Sequence, residues 1–265
     1  MLDKLNFEDL IIYCCAADET ELREQIKKDL LSYNFSFIED DYRSPRNVPE
    51  KTQPGICNTL FTRGNSKVCL VSHTDVYRDH YAFDNEIKKL IPTPTIKDLN
   101  GRKIIQDLNC RVQVGGDDRL GVAIALWTAF NSDKDLSILL TTDEEIGLLS
   151  AKEVKFKELN NFDLLIQIDR GNYVNQIVSE IRDVQLCDDK MMQFLLDESE
   201  KISLKRKEVV GYGTDVFMIK KNKMCKNAVN LTCGYYKGHS ENEYIDIEEA
   251  RDTSAYVKHI VEVLN

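Results

Sequence analysis

The eight cysteines include no Cys-x-x-Cys pair, which excludes zinc ribbons and thioredoxin-like redox chemistry. Long hydrophobic runs are also missing. The two longest, Leu10 to Ala17 and Gly121 to Phe130, fall well short of the ~18 residues that cross a bilayer, so no membrane-spanning helix is expected. Basic side chains are outnumbered, 35 against 45 acidic, and the resulting charge of −10 disfavours nucleic acid and anionic membranes as partners. Two basic clusters, Lys205-Arg206-Lys207 and Lys220, Lys221, Lys223 and Lys226, read as solvated faces. The opening MLDKLNFEDL mixes acids into what would be the apolar core of a signal peptide, so no secretion signal is expected. A cytoplasmic location follows, with the cysteines as buried thiols. Neither an internal repeat nor a low-complexity segment is present.

What remains is an ordinary globular composition: 265 residues, 42% apolar and 30% charged, enough for one sizeable α/β domain over residues 1–265. Residues 6–33 carry helical spacing in two pieces, with Asp18 or Thr20 as the cap of the second. FSFIED, CNTLFTRG and KVCLVSH read as strands, and the Pro-bearing stretches RSPRNVPEKTQPG and LIPTPTIKDLNG as surface excursions. Then come a buried helix (GVAIALWTAF), a strand (DLSILLTT), a helix (SAKEVKFKEL) and a strand (FDLLIQID). DDKMMQFLLDES, NAVNLTCGYY and IEEARDTSAYVKHIVEVL add a helix, a strand and a closing helix. Continuous apolar strands alternating with helices predict a mostly parallel sheet covered on both faces.

In open α/β sheets ligands bind beyond the carboxyl ends of the strands. KVCLVSHTD ends in His73 and Asp75, ILLTTDEE in Glu144 and Glu145, and LLIQID in Asp169; NLTCGYYKGH reaches His239, and VGGDD sets Asp117 and Asp118 before a helix. Singly these are loop residues, N-caps and solvated turns. Together they put metal-type side chains at five adjoining places. Carboxylates so gathered stay ionised only beside cations. Two divalent ions satisfy them: zinc suits imidazole with carboxylate, with manganese or cobalt as alternatives.

His73-x-Asp75, Gly115-Gly116-Asp117-Asp118-x-x-Gly121, Asp143-Glu144-Glu145-x-Gly147, Asp169 and Gly238-His239-Ser240-x-x-Glu243 resemble the five blocks of the two-zinc exopeptidases. That group includes peptidase T, carboxypeptidase G, the aminoacylases and related bacterial leucine-type aminopeptidases. GYGTD at 211–215 is similar to the Gly-Thr-Asp turn of several of them. The resemblance implies a three-layer α/β/α fold with a central mostly parallel mixed sheet. It implies that Asp117 bridges two metals, with His73 and Asp169 completing one site and Glu145 and His239 the other. Asp75 would fix the His73 tautomer, and Glu144 would be the general base for hydrolysis of a peptide or N-acyl amino acid. On an extended segment successive side chains diverge, so Glu145 could hold a metal while Glu144 handles the proton. Asp143 would cap or orient the turn, or face solvent. Tyr212, beside the GTD turn, is read either as an oxyanion donor or as a packing residue.

Many relatives carry an inserted lid or dimerisation domain after the metal-binding aspartate. Here 44 residues separate Asp169 from Thr214 and 43 separate His73 from Asp117, too few for one. A lidless domain resembles the single-domain aminopeptidases, so an aminopeptidase or di/tripeptidase is expected, with a carboxypeptidase or aminoacylase-type amidohydrolase, or a silent metal-binding scaffold, as alternatives. The oligomeric state stays open.

Overall fold

The computed structural model describes residues 1–44, 56–78 and 91–265. The expected excursion at 43–55 lies almost wholly outside them. The chain opens with α1 (Phe7–Ala16) and α2 (Glu19–Ser32), whose first turns are capped by Asn6 and Asp18. Of the two candidate caps for α2, Asp18 takes the role: its carboxylate accepts from the Thr20 backbone N–H at 2.9 Å.

Strands β1 (Ser36–Glu39), β2 (Thr59–Arg63) and β3 (Val68–His73) follow, then a hairpin of β4 (Pro94–Leu99) and β5 (Arg102–Asp107). Next come α3 (Gly116–Phe130), β6 (Leu136–Thr141), α4 (Leu149–Glu153), β7 (Leu164–Arg170), β8 (Gln176–Ile181) and β9 (Val184–Gln185). The chain continues through α5 (Asp189–Lys201), β10 (Lys207–Gly211), α6 (Asp215–Lys221), β11 (Ala228–Thr232), β12 (Tyr235–Tyr236), β13 (Tyr244–Asp246) and α7 (Ile247–Leu264). The main sheet has nine strands in the order β1-β2-β6-β3-β7-β11-β8-β10, with β9 on β8. It is mixed, as expected, but parallel pairing does not dominate. Among the described residues β6–β3, β3–β7, β7–β11 and β8–β10 are parallel, and the other four pairings are antiparallel.

The layering follows from alternation along the central strands. In β3, Val68 and Leu70 face a core shared with α1, α2, α3, α5 and α7, while Cys69 and Val71 face a second core. That second core holds Val154, Phe156 and Leu159 after α4, and Val216, Phe217 and Ile219 of α6. Ile138 and Leu139 of β6, and Leu164 and Leu165 of β7, divide in the same way. Two apolar faces explain why these strands read as unbroken hydrophobic runs.

Three expectations need correction. The stretch read as a surface excursion at 90–101 supplies β4, paired with β5 in an antiparallel four-stranded sheet, β12-β13-β5-β4. Its signal was present: Asn100 and Gly101 both take positive φ, the Asn-Gly hairpin turn. SAKEVKFKEL is not one helix but the short α4 and a separate 3-10 turn, Lys157–Asn161. Nor is Arg206 on a solvated face. It is buried, donates to the Thr253 hydroxyl at 2.8 Å and lies 4.5 Å over the Tyr256 ring. Among the described residues no helix is long and apolar enough to cross a membrane.

Leu70, fully buried in the middle of β3, gives a direct test of this core. Leu70→Ala is expected to lower the unfolding free energy by about 2–5 kcal/mol, read from the denaturant midpoint at unchanged slope. A loss well under 1 kcal/mol would contradict the packing of this face.

Candidate metal centre

Strands β3, β6 and β7 run parallel and deliver their carboxyl ends to one place. His73 is the last residue of β3, Asp169 lies near the end of β7, and Glu144 and Glu145 follow β6 by a few residues. Asp117 enters at the start of α3, and His239 arrives in the loop between β12 and β13. All five expected ligands therefore converge. Oδ1 of Asp117 lies 3.2 Å from His73 Nε2, and its Oδ2 lies 3.2 Å from His239 Nε2. His73 Nε2 is also 3.7 Å from Asp169 Oδ1, and His239 Nε2 is 2.9 Å from Glu145 Oε2. One carboxylate thus stands between two imidazoles, each with a further carboxylate at its side.

Those carboxylates and imidazoles can be tested as a ligand set. His73 Nε2 is buried yet makes no hydrogen bond, and buried Glu145 Oε1 is likewise without one. An unsatisfied imidazole nitrogen and an unsatisfied carboxylate oxygen, both close to Asp117 or its histidine partner, are the donor atoms a cation would use. The Asp117–Glu145–His239 ligand atoms lie within 4.8 Å of one another. Around His73 the same holds for Asp169 and Asp118. Asp118 is nevertheless committed elsewhere: its two oxygens accept from the backbone N–H of His73 and of Gly121, both at 3.2 Å, which staples α3 to the end of β3. Asp117 is the aspartate that reaches both rings, so the donor set around it suits divalent metal.

Electrostatics supports the same arrangement. Burial opposes a charge on His73, but Asp117, Asp169 and Asp75 outweigh it and hold the ring's pKa well above its ordinary value. His239 is pushed up to about 11 by its bonds to Asp117 and Glu145. Burial would raise Asp117, yet the two imidazoles hold it well below the usual carboxylate range. Asp169 is raised to about 7 by burial and the Asp117 charge. Glu144 is pushed well above its ordinary value by burial first, then by Asp169, Asp215 and Asp117. Crowded acids retain protons unless something more positive replaces them.

The Asp75 carboxylate lies beside the far nitrogen of His73 and has a second task. His73 Nδ1 is 3.0 Å from the backbone carbonyl of Asp75 and 3.4 Å from its carboxylate, so both fix the tautomer that leaves Nε2 as an acceptor. The carboxylate itself accepts from the backbone N–H of Glu144 at 3.2 Å and of Glu145 at 3.3 Å. The two glutamates lie in a turn rather than on an extended segment: Glu144 O accepts from Gly147 N and Leu148 N. Asp143 is buried with φ 53 and accepts from the Tyr42 hydroxyl at 2.7 Å, so it orients the turn and does not face solvent.

Four further residues have roles that sequence reasoning did not assign. Glu243 is fully buried and accepts from the N–H groups of Gly115 at 2.6 Å, Gly116 at 3.1 Å and Asp117 at 3.3 Å. It thereby cradles the GGDD loop. Thr214 donates to Asp169 Oδ2 at 3.0 Å, and buried Asp215 accepts from the Thr141 hydroxyl at 2.6 Å. Both belong to GYGTD and Glu243 to the histidine block, so the quoted motifs contained the signal. The ring of Tyr77 stacks on His239 at 4.4 Å. Tyr212 is 77% exposed at the cleft, which removes the packing alternative.

Glu144, Glu145, Asp117, Asp169 and His239 line one open cavity of about 580 Å³. No protein-family model and no curated protein matches this sequence. Solved structures match it throughout. Aminopeptidase PepT from Bacillus cereus is 16% identical with a TM-score of 0.75, covering 98% of this chain and 99% of that one. A tripeptidase from Staphylococcus aureus is 13% identical at TM-score 0.74, covering 97% of each chain. The Pyrococcus horikoshii TET1 peptidase, which can assemble into a tetrahedron or a large octahedral shell, is 13% identical at 0.64 over 93% and 94%. This chain has the fold of those peptidases.

The proton distribution predicts how added metal couples to pH. Glu243, raised to about 7 from 4.5 by burial, and His239, raised to about 11 from 6.5, bind more protons folded than unfolded. Their contribution to the stability of the metal-free chain therefore falls as pH rises from 4.5 to 7 and from 6.5 toward 11. Zinc must displace the imidazole protons, so its stabilising effect is expected to be larger at about pH 8 than at about pH 5.5. Thermal midpoints with and without zinc at the two pH values check this. A zinc effect that shrinks on going to pH 8 would contradict it.

Proposed function

We propose that this chain is a single-unit, dinuclear metal-dependent exopeptidase that removes residues from the amino end of short peptides. The observation that carries the reading is the Asp117 carboxylate, 3.2 Å from each of two imidazoles at the floor of an open cleft. His73, Asp117 and Asp169 would hold one divalent ion, and Asp117, Glu145 and His239 the other, with zinc the ion that best suits nitrogen and oxygen ligands together. Bound there, such ions supply Lewis-acid polarisation of a carbonyl and acidify water.

The rest is the work of side chains. Glu144 lines the cleft beside the ligands without forming the close histidine contacts that Glu145 makes. A carboxylate whose pKa is raised by burial suits a group that must accept a proton from water and pass it to the leaving amine. Asp75 holds the backbone of both glutamates, which keeps the base and the ligand at fixed separation. Thr214 and Asp118 restrain Asp169 and the His73 backbone.

The amino-end preference is supported by the open cleft and by what replaces a lid. The residues between Asp169 and Thr214 form β8, β9, α5 and β10, which belong to the main sheet and its flank. The similar structures favour the same reading: one is an aminopeptidase, and another, a tripeptidase, acts on short peptides.

Two measurements test the reading. Release of leucine from a chromogenic leucine amide is expected to need added divalent metal and to stop with chelator. Glu144→Gln is expected to retain about two ions per chain and lose about 10²–10⁴-fold in kcat. Asp117→Ala is expected to lose metal and activity together, read by elemental analysis of the dialysed protein. Full turnover in Glu144→Gln sinks the proton-transfer role.

A further inference from the structure

We propose that Arg170 and Arg182 form a carboxylate-binding subsite on the wall of the metal cleft, which makes the chain prefer short peptides bearing an anionic group at that position over their neutral counterparts. This rests on the peptidase reading for where the scissile bond sits, but the binding itself does not depend on turnover.

The cleft is lined by four acids, Asp117, Glu144, Glu145 and Asp169, and by these two guanidinium groups together with His239. Two divalent cations would balance the four carboxylates. The arginines then remain as the uncompensated charge of the cavity, and an arriving anion is what they would attract.

Arg170 follows the candidate ligand Asp169 directly and is half-buried. Its Nε donates to Gln176 Oε1 at 2.9 Å, and its guanidinium lies 4.5 Å over the ring of Tyr173. The side chain is thus oriented from two sides while its terminal nitrogens make no hydrogen bond or ion pair among the described residues. Other arginines differ. Arg63, similarly half-buried, donates to three backbone carbonyls, those of Ala129, Ser132 and Lys134, and Arg102 pairs with Asp246 at 2.8 Å and Glu249 at 3.1 Å. A partly desolvated guanidinium with free terminal donors facing a cavity is unfavourable until an oxygen anion arrives.

Arg182 lines the same cavity from a rigid support. Ile181 pairs with Val184, so Arg182 and Asp183 are the two residues of a tight hairpin turn, both with positive φ, at 48° and 63°. The Arg182 side chain has no hydrogen bond or ion pair among the described residues. Tyr173 and Tyr212 add exposed aromatic rings to the lining of the same cavity. Planar forks of this kind match a carboxylate in two-point geometry, which lysine does not. The carboxylate has two sources, the free terminus of a di- or tripeptide or an acidic side chain, and the chemistry recognised is common to both.

Calorimetric titration of the zinc-loaded Glu144→Gln protein separates them, using Leu-Gly-Gly against its amide and Glu-Gly amide against Gln-Gly amide. The anionic member of one pair is expected to bind about tenfold more tightly, the scale of one charge-assisted hydrogen bond, and the pair showing the gap identifies the source. Arg182→Glu, an exposed turn position that the fold tolerates, and Arg170→Gln are expected to bring that ratio close to one. Lys205→Glu, an exposed cation outside the cleft, is expected to leave it in place. Equal binding within both pairs, no binding of any peptide, or an undiminished ratio in both arginine variants overturns the subsite. Hydrolysis by the unaltered protein is read separately: a binding gap without turnover removes the peptidase reading and keeps the subsite, and normal turnover without a gap does the reverse.

Discussion

Crowded negative charge is the constraint around which the molecule is organised. Asp117, Asp169, Glu144 and Glu145 meet at the ends of three parallel strands, with Asp118, Asp215, Asp75 and Glu243 close behind. Such a gathering is unfavourable in a low-dielectric interior unless each carboxylate is bonded or neutralised. Asp118, Glu243 and Asp75 are satisfied by backbone N–H groups, and one oxygen of Asp215 by the Thr141 hydroxyl; among the cleft acids, Asp117 and Glu145 lie against the imidazoles. That division separates scaffold from function. Asp118, Glu243 and Asp75 hold loops in place, while Asp117, Glu145 and Asp169 point donor atoms at a common space.

The backbone makes room for this arrangement. Asp143 at φ 53 and His239 at φ 63 are non-glycine residues in the left-handed region, and Gly115 at φ 92 opens the loop that presents Asp117. Left-handed non-glycine residues cost of order 1–3 kcal/mol each. They persist because the surroundings overdetermine them: Tyr42 on Asp143, Tyr77 stacked on His239, and Glu243 under the glycine pair. Left-handed residues occur elsewhere in the chain as well, but at these two positions they aim side chains of the site.

The parts of the sequence that were legible share one property, which is that their signal is local. β3, β6 and β7 are buried on both faces and so appear as apolar runs, and the metal-type residues follow those runs within a few positions. The helices α1, α2, α5 and α7 announced themselves by periodicity and caps. What escaped depends on pairing across long separations. β4 and β10 are largely exposed and carry mixed side chains, so neither shows alternation strong enough to stand out. Glu243 is 126 residues from Asp117, and although the histidine block marks its position, nothing local tells that it binds three N–H groups. Arg206 sat in a basic triplet, and only the fold decides that it turns inward onto Tyr256.

Asp75 ties these scales together. Its peptide carbonyl and carboxylate fix the ring of His73, while the same carboxylate holds the backbone of Glu144 and Glu145, about 70 positions away. The ligand of one metal position, the ligand of the other and the candidate base are thus referenced to a single side chain at the end of one strand. A site assembled from five separate loops would drift by the sum of their motions. Referencing three of its groups to one buried carboxylate confines that drift to one hydrogen-bonded unit. The second metal position then depends on the remaining tether, the Glu243 cradle, which fixes Asp117 relative to the histidine loop because Glu243 lies four residues beyond His239. Two tethers, one on each side of Asp117, are enough to set the separation of the two imidazoles.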